Sequence, residues 1–388
     1  MEDNKNNVAI ILYARFPSEM AYGNHVIQVA NSFLQNNCSV SIYYPKTYNK
    51  KSIQESPENF YKTDRNIQFN CVKNFDVTSY KVYEIMPLVF QKLVYSLSTM
   101  FWSFKLRNSL EEHNIIWSTN PNILLFTKKS RKNLIYEKHG EAKYIQKLSI
   151  NLLKRLKNIT FVALTKKSFD ELITKHENTI YLPNGVDTTL FKPKLSKNDH
   201  LTVGYIGMLE TYGVDKGVLN AVKMINSLLN AGLNFKISII GGPEKKINEI
   251  DTFLRDNNIE ESFMVSNYID HKLVPNYMQN FDIGIVPYPK DKHIELYSSP
   301  LKIFELAACG IPILASNLKS HVELEELGLG IQIYDLENPD DFIIKLNELL
   351  LNEDLRNSLR EKSLNNINKL DWTSRTKTIL SSVRSSTG

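Results

Sequence analysis

The chain has 388 residues, of which 42% are apolar and 23% charged, a composition typical of globular proteins with room for two domains. No uncharged apolar stretch of about 18 residues is present, which excludes a membrane-spanning helix at the level of the sequence. The polar start MEDNKNN does not look like a secretory signal, so we expect a cytoplasmic protein.

Metal-binding patterns are missing from the sequence. The cysteines Cys38, Cys71 and Cys309 are widely separated and odd in number, as expected of reduced thiols rather than of disulfides or a zinc site. None of the eight histidines belongs to a His-Glu-x-x-His motif, and there is no Asp-x-Asp triplet. The sequence thus predicts neither a bound metal ion nor another cofactor.

The net charge of +5 conceals an asymmetry between the two halves of the chain. Residues 1–200 carry 28 basic and 17 acidic residues, a difference of +11, whereas residues 201–388 carry 19 and 25, a difference of −6. Residues 101–200 alone contribute 18 against 9, or +9. This excess favours peripheral contact with an anionic membrane or with a phosphorylated lipid. No nucleic-acid-binding motif accompanies the charge, so nucleic acid is not an expected partner.

The chain opens with the pattern of a doubly wound α/β domain. VAIILYAR (8–15) is a short apolar run that predicts a buried strand, and SVSIYYP (39–45) predicts a second strand. Apolar residues at helical spacing lie between the two strands, at Val26, Val29, Ala30, Phe33 and Leu34. Ligands of such domains lie at the carboxyl ends of the strands, and Gly23 follows the first strand at such an end.

Two amphipathic stretches of the first half allow more than one interpretation. The aromatic segment 81–108 favours a long core helix, and the alternative is a surface that faces an acceptor or dips into a membrane. The basic segment 144–158 favours a helix with a solvated charged face, and the alternative is an interfacial helix.

His139 is the histidine that the pattern singles out. Strands are predicted at 114–120, 133–140 and 159–165, and His139 comes at the end of the second of these, in a His-Gly step. Glu137, two residues earlier, points the same way along a strand. Position alone makes both residues candidates for a site at this strand end, although a single histidine is more often structural. The selection of His139 and Glu137 as catalytic residues, with Glu137 as an acceptor-positioning or charge-stabilising group, rests on a family resemblance.

The second half continues the alternation of strands and helices. Strands are predicted at 201–208, 235–243, 263–269, 281–289 and 330–335. Lys216-Gly217 follows the first of these strands and precedes an amphipathic helix. Asp371-Trp372-Thr373 begins a last helix.

The stretch SSPLKIFELAACGIPILAS (298–316) carries the most chemical information. Ser298 or Ser299 is the expected N-cap and Pro300 the first helical residue, which makes Lys302 the third. A lysine in the first turn opposes the helix dipole, and a bound diphosphate would reverse the sign of that interaction. Glu305 shares a helix face with Leu301 and Lys302, where a carboxylate is well placed to bind ribose hydroxyls.

This stretch, together with PNGVDTTLF (183–191) and FDIGIVPYP (281–289), resembles the signatures of the group 1 (family 4) retaining glycosyltransferases of the GT-B fold. The resemblance covers nearly all of residues 180–388, and residues 8–180 mainly by pattern and by His139. It implies an α/β fold of two Rossmann-like domains that face each other across a cleft, with a C-terminal helix that crosses back to the first domain. It divides the chain into an acceptor-binding domain, 1–190 completed by 371–388, and a nucleotide-sugar-binding domain, 191–370.

The resemblance also assigns roles to individual residues. It places the donor diphosphate against Gly23, Lys216, Ser299, Pro300, Leu301 and Lys302. It gives the ribose to Glu305, the base to Tyr268 and Ile269, the donor sugar to Tyr297 and Ser298, and the vicinity of the reacting carbon to His139. Two positions depart from the family pattern, because Met208 replaces an arginine and Tyr297 replaces a glutamate.

The activity that the resemblance implies is the transfer of a hexose, with retention of configuration and without a metal ion, from a UDP- or GDP-sugar to a glycan or lipid-linked acceptor. The expected context is the synthesis of cell-envelope or surface polysaccharide. Two alternatives remain at this stage: a catalytically inactive scaffold or binding subunit, which Met208 and Tyr297 favour, and a sugar-nucleotide 2-epimerase, which would need several acid/base groups.

Overall fold

The computed structural model divides into two compact units. The first unit is Met1–Leu182 with Trp372–Gly388, and the second unit is Pro183–Asp371. The first boundary therefore precedes the predicted position at residue 190, because the segment that begins at Pro183 packs with the second unit. The structure describes residues 6–48, 53–63, 66–127, 132–174, 176–193, 200–211 and 213–385.

The first unit contains a parallel sheet whose order in the described residues is β3-β2-β1-β4-β5-β6-β7. Its strands are β1 (Asn7–Ile11), β2 (Ser39–Pro45), β3 (Ile67–Val72), β4 (Ile115–Ser118), β5 (Asn133–Lys138), β6 (Ile159–Ala163) and β7 (Thr179–Tyr181). The chain first moves outward from β1 to β3 and then continues on the other side of β1. The carboxyl ends of β1 and β4 therefore form the topological switch point at which such sheets bind ligands.

Helices flank this sheet, and the longer ones bury one face against the unit. They are α1 (Ala21–Gln35), α2 (Pro57–Tyr61), α3 (Lys81–Ile85), α4 (Leu88–Leu106), α5 (Pro121–Thr127), α6 (Ile145–Leu153) and α7 (Lys166–Ile173). Helix α1 buries Val26, Val29, Ala30 and Phe33 at helical spacing, as the sequence predicts. Helix α6 buries Ile150 and Leu153.

The prediction of a core helix at 81–108 is wrong for most of that segment. Helix α3 buries none of its residues, and α4 buries Thr99, Trp102, Ser103 and Leu106. The bulky apolar residues of the opposite face of α4 are exposed. The apolar composition of this segment therefore does not reflect burial in the core.

The second unit contains a parallel sheet in the order β12-β11-β8-β13-β14-β15, and a short antiparallel pair, β9 with β10. Its strands are β8 (Thr202–Met208), β9 (Glu210–Thr211), β10 (Val214–Asp215), β11 (Lys236–Gly242), β12 (Phe263–Ser266), β13 (Ile283–Val286), β14 (Ile313–Ser316) and β15 (Ile331–Tyr334). The switch point of this sheet lies between β8 and β13, since β11 and β13 flank β8 on opposite sides.

The helices of the second unit enclose a continuous apolar core around this sheet. They are α8 (Val218–Asn230), α9 (Glu244–Asp256), α10 (Val274–Met278), α11 (Lys292–Tyr297), α12 (Leu301–Ala308), α13 (Lys319–Glu326), α14 (Pro339–Leu351) and α15 (Glu353–Ile367). The short strand β14 is fully buried, as is usual for an inner strand of a parallel sheet.

The last helix, α16 (Trp372–Ser385), returns to the first unit, as predicted. It packs along α1, where the buried Ser32 and Thr376 hydroxyls lie 2.6 Å apart and share a hydrogen bond. Among the helices of the described residues, none is both long and apolar enough to cross a membrane.

Candidate functional site

The candidate phosphate site of the second unit is formed at the beginning of α12. Pro300 is the N-cap residue, with φ −70° and ψ 112°, and Leu301 is the first helical residue. The predicted cap at Ser298 or Ser299 is therefore wrong, and Lys302 is the second helical residue instead of the third. A proline has no side-chain cap, and no such hydrogen bond is made to the first turn within the part of the chain described. The backbone N–H groups at this end are oriented for an anion.

Ser299 is used to hold the turn that precedes α12. The backbone N–H of Asn184 donates to Ser299 Oγ at 3.0 Å, and Asn184 Nδ2 donates to the Ser299 carbonyl at 2.7 Å. Both residues are buried. Because its oxygen accepts from Asn184, the Ser299 hydroxyl retains its proton for donation to a ligand. Asn184 thus fixes the turn before the candidate phosphate-site helix.

Lys302 lies against the end of β8 at the switch point. Its Nζ is 5.5 Å from the centre of the Tyr205 ring. Gly207 has φ +135°, and a Cβ at this position would lie 1.7 Å from Lys302 Nζ. Glycine is required there because the backbone conformation disfavours a side chain and because the lysine occupies the space.

Lys216 approaches the same switch point from the segment between β10 and α8. Its backbone N–H donates to the Leu209 carbonyl at 2.8 Å, and its Nζ lies 5.0 Å from the centre of the Tyr288 ring. Tyr288 follows β13, the neighbour of β8 in the sheet. The two lysines therefore reach the end of the sheet at which doubly wound domains bind their ligands.

Both lysines are held in surroundings that disfavour their charge. Burial lowers the pKa of Lys302, and the positive charge of Lys216 lowers it further, against the opposing effect of Glu305. Burial also lowers the pKa of Lys216, against the opposing effects of Asp291 and Asp215. In each case the nearby carboxylates do not offset the loss of water. An anion bound between the lysines would restore the missing interaction.

Glu305 lies one turn beyond Lys302 in α12 and is paired with His271. The distance between His271 Nε2 and Glu305 Oε1 is 3.2 Å. Burial opposes ionisation of Glu305, but the hydrogen bond and charge of His271 and the charge of Lys302 outweigh it, so the Glu305 pKa lies below its ordinary value. Burial likewise lowers the pKa of His271, but Glu305 raises it by more. Glu305 is therefore an ionised acceptor suited to hydroxyl groups.

The other residues predicted for the donor occupy different environments. Tyr268 and Ile269 follow β12, where Tyr268 is exposed and Ile269 packs partly into the core. Tyr297 is 4% exposed at the end of α11, and Ser298 is half-buried. The predicted contact of Tyr297 with a donor sugar is limited by this burial. Met208, in place of the family's arginine, is exposed at the end of β8.

The first unit contains a buried polar network at the carboxyl end of β5. Glu137, with no exposed surface, accepts hydrogen bonds at Oε1 from His25 Nε2 (2.9 Å) and from His139 Nε2 (2.7 Å). The Arg375 guanidinium donates to its other oxygen, Oε2, at 2.9 Å and belongs to α16. The side chain of His139 is 34% exposed, against 6% for His25 and 1% for Arg375. His139 is thus the member of this network that can meet a ligand.

The charge state of Glu137 determines which ring nitrogen of His25 and of His139 carries the hydrogen that is donated to it. Burial would raise the pKa of Glu137, but Arg375 and the two histidines hold it well below its usual range, so the carboxylate is ionised. An ionised carboxylate only accepts hydrogen bonds, which means that both histidines donate Nε2–H. Burial lowers the pKa of His25 to about 4, so His25 is neutral. In neutral His139 the same tautomer leaves Nδ1 as a hydrogen-bond acceptor.

This geometry corrects the role predicted for Glu137. Its side chain is fully buried and bonded to three partners, so it does not position an acceptor by direct contact. It orients His139 instead. His25 and Arg375 were not predicted, because their contacts with Glu137 join positions 112 and 238 residues apart.

Within the described residues, His25, Glu137 and His139 place their ligand atoms within 4.8 Å of one another, as a metal site would. The Arg375 guanidinium bonds the same carboxylate and opposes a cation there by charge repulsion. The residues therefore fit a hydrogen-bond network better than a metal site, and metal independence stays a prediction.

Gly23 has a packing role that sequence analysis did not foresee. It lies in the first turn of α1 instead of in a loop. A Cβ at this position would be 2.2 Å from the Tyr61 hydroxyl and 2.6 Å from the Ser18 carbonyl. The Tyr61 hydroxyl also bonds the backbone of Ser18, at 2.8 Å from its nitrogen and 2.9 Å from its oxygen. Internal packing therefore explains this glycine, and contact with a diphosphate stays a prediction.

Comparison with known proteins agrees with this architecture. Residues 200–352, which contain Lys216, Lys302 and Glu305, match the family described as glycosyl transferases group 1. The resemblance to the group 1 glycosyltransferases of the GT-B fold is confirmed. A glycosyltransferase from Rickettsia africae superposes with a TM-score of 0.71 at 13% identity, over 99% of both chains. Anabaena HepE, solved with UDP and glucose, gives 0.67 at 13% identity, over 98% of this chain and 100% of that one.

One curated relative adds a biological context. The chain is 26% identical over 257 residues to a putative teichuronic acid biosynthesis glycosyltransferase, TuaH, of Bacillus subtilis. The match covers 62% of this chain and 60% of TuaH, so the chain spans less than two thirds of the length of that relative. The fold is GT-B, as predicted, and each of the two α/β units contains a sheet of parallel strands.

The ion pair between Glu137 and Arg375 is expected to be a major source of stability of the first unit. The substitution Arg375→Met leaves the buried carboxylate of Glu137 without its cation. It should lower the free energy of unfolding by about 3–5 kcal/mol. Glu137→Gln should do the same for the buried guanidinium. The double variant should lose less than the sum, with a coupling of about 0.5–3 kcal/mol.

Urea titration followed by tryptophan fluorescence measures this effect, because Trp102, Trp117 and Trp372 all belong to the first unit. Lys167→Met, which removes the partly exposed ion pair with Glu171 in the same unit, is the control and should cost about 0–1 kcal/mol. Equal effects of Arg375→Met and Lys167→Met would contradict the assignment.

His25 gives the first unit a defined pH dependence. Its pKa falls from the ordinary 6.5 to about 4 in the folded protein, so between these values the unfolded chain binds a proton that the folded chain does not. Stability should therefore decrease as pH falls from 6.5 to about 4, and His25→Gln should reduce the slope by ~1.4 kcal/mol per pH unit.

The second unit supplies a matched control for this experiment. Burial lowers the pKa of His321 to about 4 as well, but His321 belongs to the other unit. With tryptophan fluorescence as the readout, His321→Gln should leave the slope unchanged. A slope that is the same in wild type and His25→Gln would show that His25 is not buried as a neutral group.

Proposed function

We propose that this chain is a retaining glycosyltransferase that transfers a hexose from a nucleoside-diphosphate sugar to a glycan or lipid-linked acceptor. The observation that carries the proposal is a pair of lysines, Lys216 and Lys302, whose positive charge the nearby carboxylates do not fully compensate. They lie beside a helix N-terminus without a side-chain cap. The similarity to TuaH, a putative teichuronic acid biosynthesis glycosyltransferase, supports a role in cell-envelope or surface polysaccharide synthesis. Because HepE was solved with UDP, UDP is the first nucleotide to test, with GDP as the alternative.

The second unit binds the donor in this proposal. The first-turn N–H groups of α12 and the two lysines hold the diphosphate, and Glu305 accepts hydrogen bonds from the ribose. Tyr268 and Ile269 lie beyond β12 for the base. As the glycosidic bond breaks, negative charge grows on the departing diphosphate. Donors that are already oriented stabilise this charge without reorganisation, which lowers the barrier without a metal ion.

The first unit supplies His139 to the reaction. With Nε2–H directed to Glu137, the imidazole presents Nδ1 to hydroxyl groups of the sugar substrates. Glu137, His25 and Arg375 orient this ring without touching substrate. The carboxylate of Glu137 is enclosed by its three partners, so it is not a nucleophile. We assign the departing phosphate as the base that receives the acceptor proton on the same face of the sugar.

Lys302→Met should weaken UDP binding by about tenfold to a hundredfold, because a hydrogen bond to a charged group is worth about 1.5–3 kcal/mol. Calorimetric titration and a thermal-shift panel with UDP, GDP, ADP, CMP and their sugar conjugates measure this. A nucleotide at a hundred times its dissociation constant stabilises the protein by about 2.7 kcal/mol. Lys319→Met, at an exposed position of the same unit, is the control and should bind like the wild type.

Nucleotide binding and turnover together distinguish the alternatives. An inactive scaffold would bind none of these nucleotides at millimolar concentration, and that result would refute the donor site. A 2-epimerase would bind a sugar nucleotide and convert it without an acceptor. A transferase releases nucleoside diphosphate in the presence of acceptor, and a retaining transferase also leaves the anomeric configuration unchanged.

We expect activity to survive removal of divalent metal ions, because the lysines and N–H groups of α12 provide the positive potential at the diphosphate. Turnover with and without EDTA measures this, and proton NMR of the first product gives its anomeric configuration. Loss of turnover in EDTA that Mg²⁺ or Mn²⁺ restores would overturn metal independence, and an inverted product would overturn retention.

A further inference from the structure

Helix α4 is amphipathic, but its exposed face is the apolar one. Phe90, Leu93, Leu97, Phe101 and Phe104 follow each other at spacings of three and four residues, which places them on one face. They are 42–72% exposed. The opposite face, with Thr99, Trp102, Ser103 and Leu106, packs into the first unit. We call the exposed set the α4 stripe.

The apolar surface continues before α4. Ile85 at the end of α3 is 80% exposed, and Leu88 at the start of α4 is 68% exposed. Phe75 and Tyr80 stack on each other, with ring centres 5.3 Å apart, and both are exposed. Such a continuous exposed patch marks a surface that is covered in the working state of a protein.

A cavity of about 290 Å³ opens beside the stripe, between α4 and the segment before α3. Phe75, Leu97, Phe101 and Trp102 are apolar residues of its lining, and Lys73 and Lys105 also line it. Ser98, a polar group of the lining, is already bonded to Tyr13 and to the Phe75 carbonyl. This volume is slightly below the range for small-ligand pockets, about 300–1,000 Å³, and suits one hydrocarbon chain.

The charge around the stripe identifies its occupant. Lys73, Lys81, Lys92 and Lys105 are all exposed in this segment. Asp76 is buried and accepts hydrogen bonds from Tyr48 and Thr78, which leaves Glu84 as the exposed acid between residues 73 and 107. Lysine is depleted at protein–protein interfaces, whereas helices that lie in a bilayer interface combine Phe and Leu with Lys.

We propose that the α4 stripe, with the cavity beside it, docks this protein on an anionic lipid bilayer. The phenylalanine and leucine side chains enter the boundary between headgroups and acyl chains. The surrounding lysines contact lipid phosphates, and the cavity receives one acyl chain of a bound lipid. This inference goes beyond the proposed function and is independent of it, because a docked protein can act on a lipid-linked or a water-soluble acceptor.

The first test is co-sedimentation of the full chain with vesicles. Binding should be strong to phosphatidylcholine mixed with phosphatidylglycerol, weak to phosphatidylcholine alone, and reduced by added salt because the lysine contribution is screened. Lys73→Ala and Lys105→Ala should each reduce partition about fivefold, from ~1 kcal/mol per lysine near the surface. Phe90→Ser with Phe101→Ser should reduce it by at least about tenfold, since each ring loses its apolar burial.

Matched controls come from the second unit. Ile344→Ser with Leu351→Ser removes apolar side chains that are 58% and 73% exposed, and Lys319→Ala removes an exposed lysine. These variants should bind vesicles like the wild type. All variants are first checked for an unchanged melting temperature and for UDP binding, so that failure of the donor site is distinguished from failure of docking.

The cavity is tested with a lipid whose acyl chains carry bromine. Bromine quenches tryptophan fluorescence on contact, and Trp102 lines the cavity. The other two tryptophans, Trp117 and Trp372, pack around His25. Vesicles with brominated phosphatidylglycerol should quench the wild type and leave Trp102→Phe largely unquenched. Quenching that persists in Trp102→Phe would overturn the assignment of the cavity.

Three results would overturn the docking proposal itself. The first is that the wild type does not sediment with anionic vesicles. The second is that the stripe and control variants lose binding equally. The third is that the wild type is an oligomer in solution, ignores vesicles, and becomes monomeric in Phe90→Ser with Phe101→Ser, which would make the stripe an interface between copies of this chain.

Discussion

A charged group removed from water raises the free energy of the protein unless another group pairs with it. In the first unit, Glu137 is fully buried and Arg375, His25 and His139 satisfy both of its oxygens. In the second unit, Lys216 and Lys302 lose water without enough nearby carboxylate to compensate, so their pKa values fall. The first arrangement is complete and holds one imidazole in place. The second is incomplete, and the proposed diphosphate would complete it.

The sequence was sufficient for the parallel sheets because their strands are short apolar runs with helical stripes between them. It was insufficient where tertiary contacts override local preference. Ser299 is a good N-cap by type, but its hydroxyl accepts from Asn184, and the helix begins after Pro300. Strand β3 escaped prediction because its sequence, IQFNCV, lies at a sheet edge and buries little beyond Ile67.

The candidate site shows the same division. Lys216, Lys302 and Glu305 lie in motifs that a family resemblance transfers position by position. His25 and Arg375 lie in no such motif, and their importance follows from a carboxylate that is distant in the sequence. His25 in the first helix and Arg375 in the last can be recognised as site residues only when both are seen to bond Glu137 in β5. The buried neutral His25 and the ionised Glu137 then fix the tautomer of His139, which no sequence pattern specifies.

Helix α4 reverses the usual relation between hydrophobicity and burial, and this reversal is why the core assignment failed. A stripe at helical spacing shows that a helix has two faces, but it does not show which face meets the protein. Here Trp102 and Leu106 anchor one face, while Phe90, Leu97 and Phe101 remain exposed on the other. The exposed lysines beside this stripe indicate a membrane-binding surface more specifically than the basic excess of residues 101–200 as a whole. Exposed apolar side chains bordered by cations match the interface of an anionic bilayer, where both kinds of group gain interactions at once.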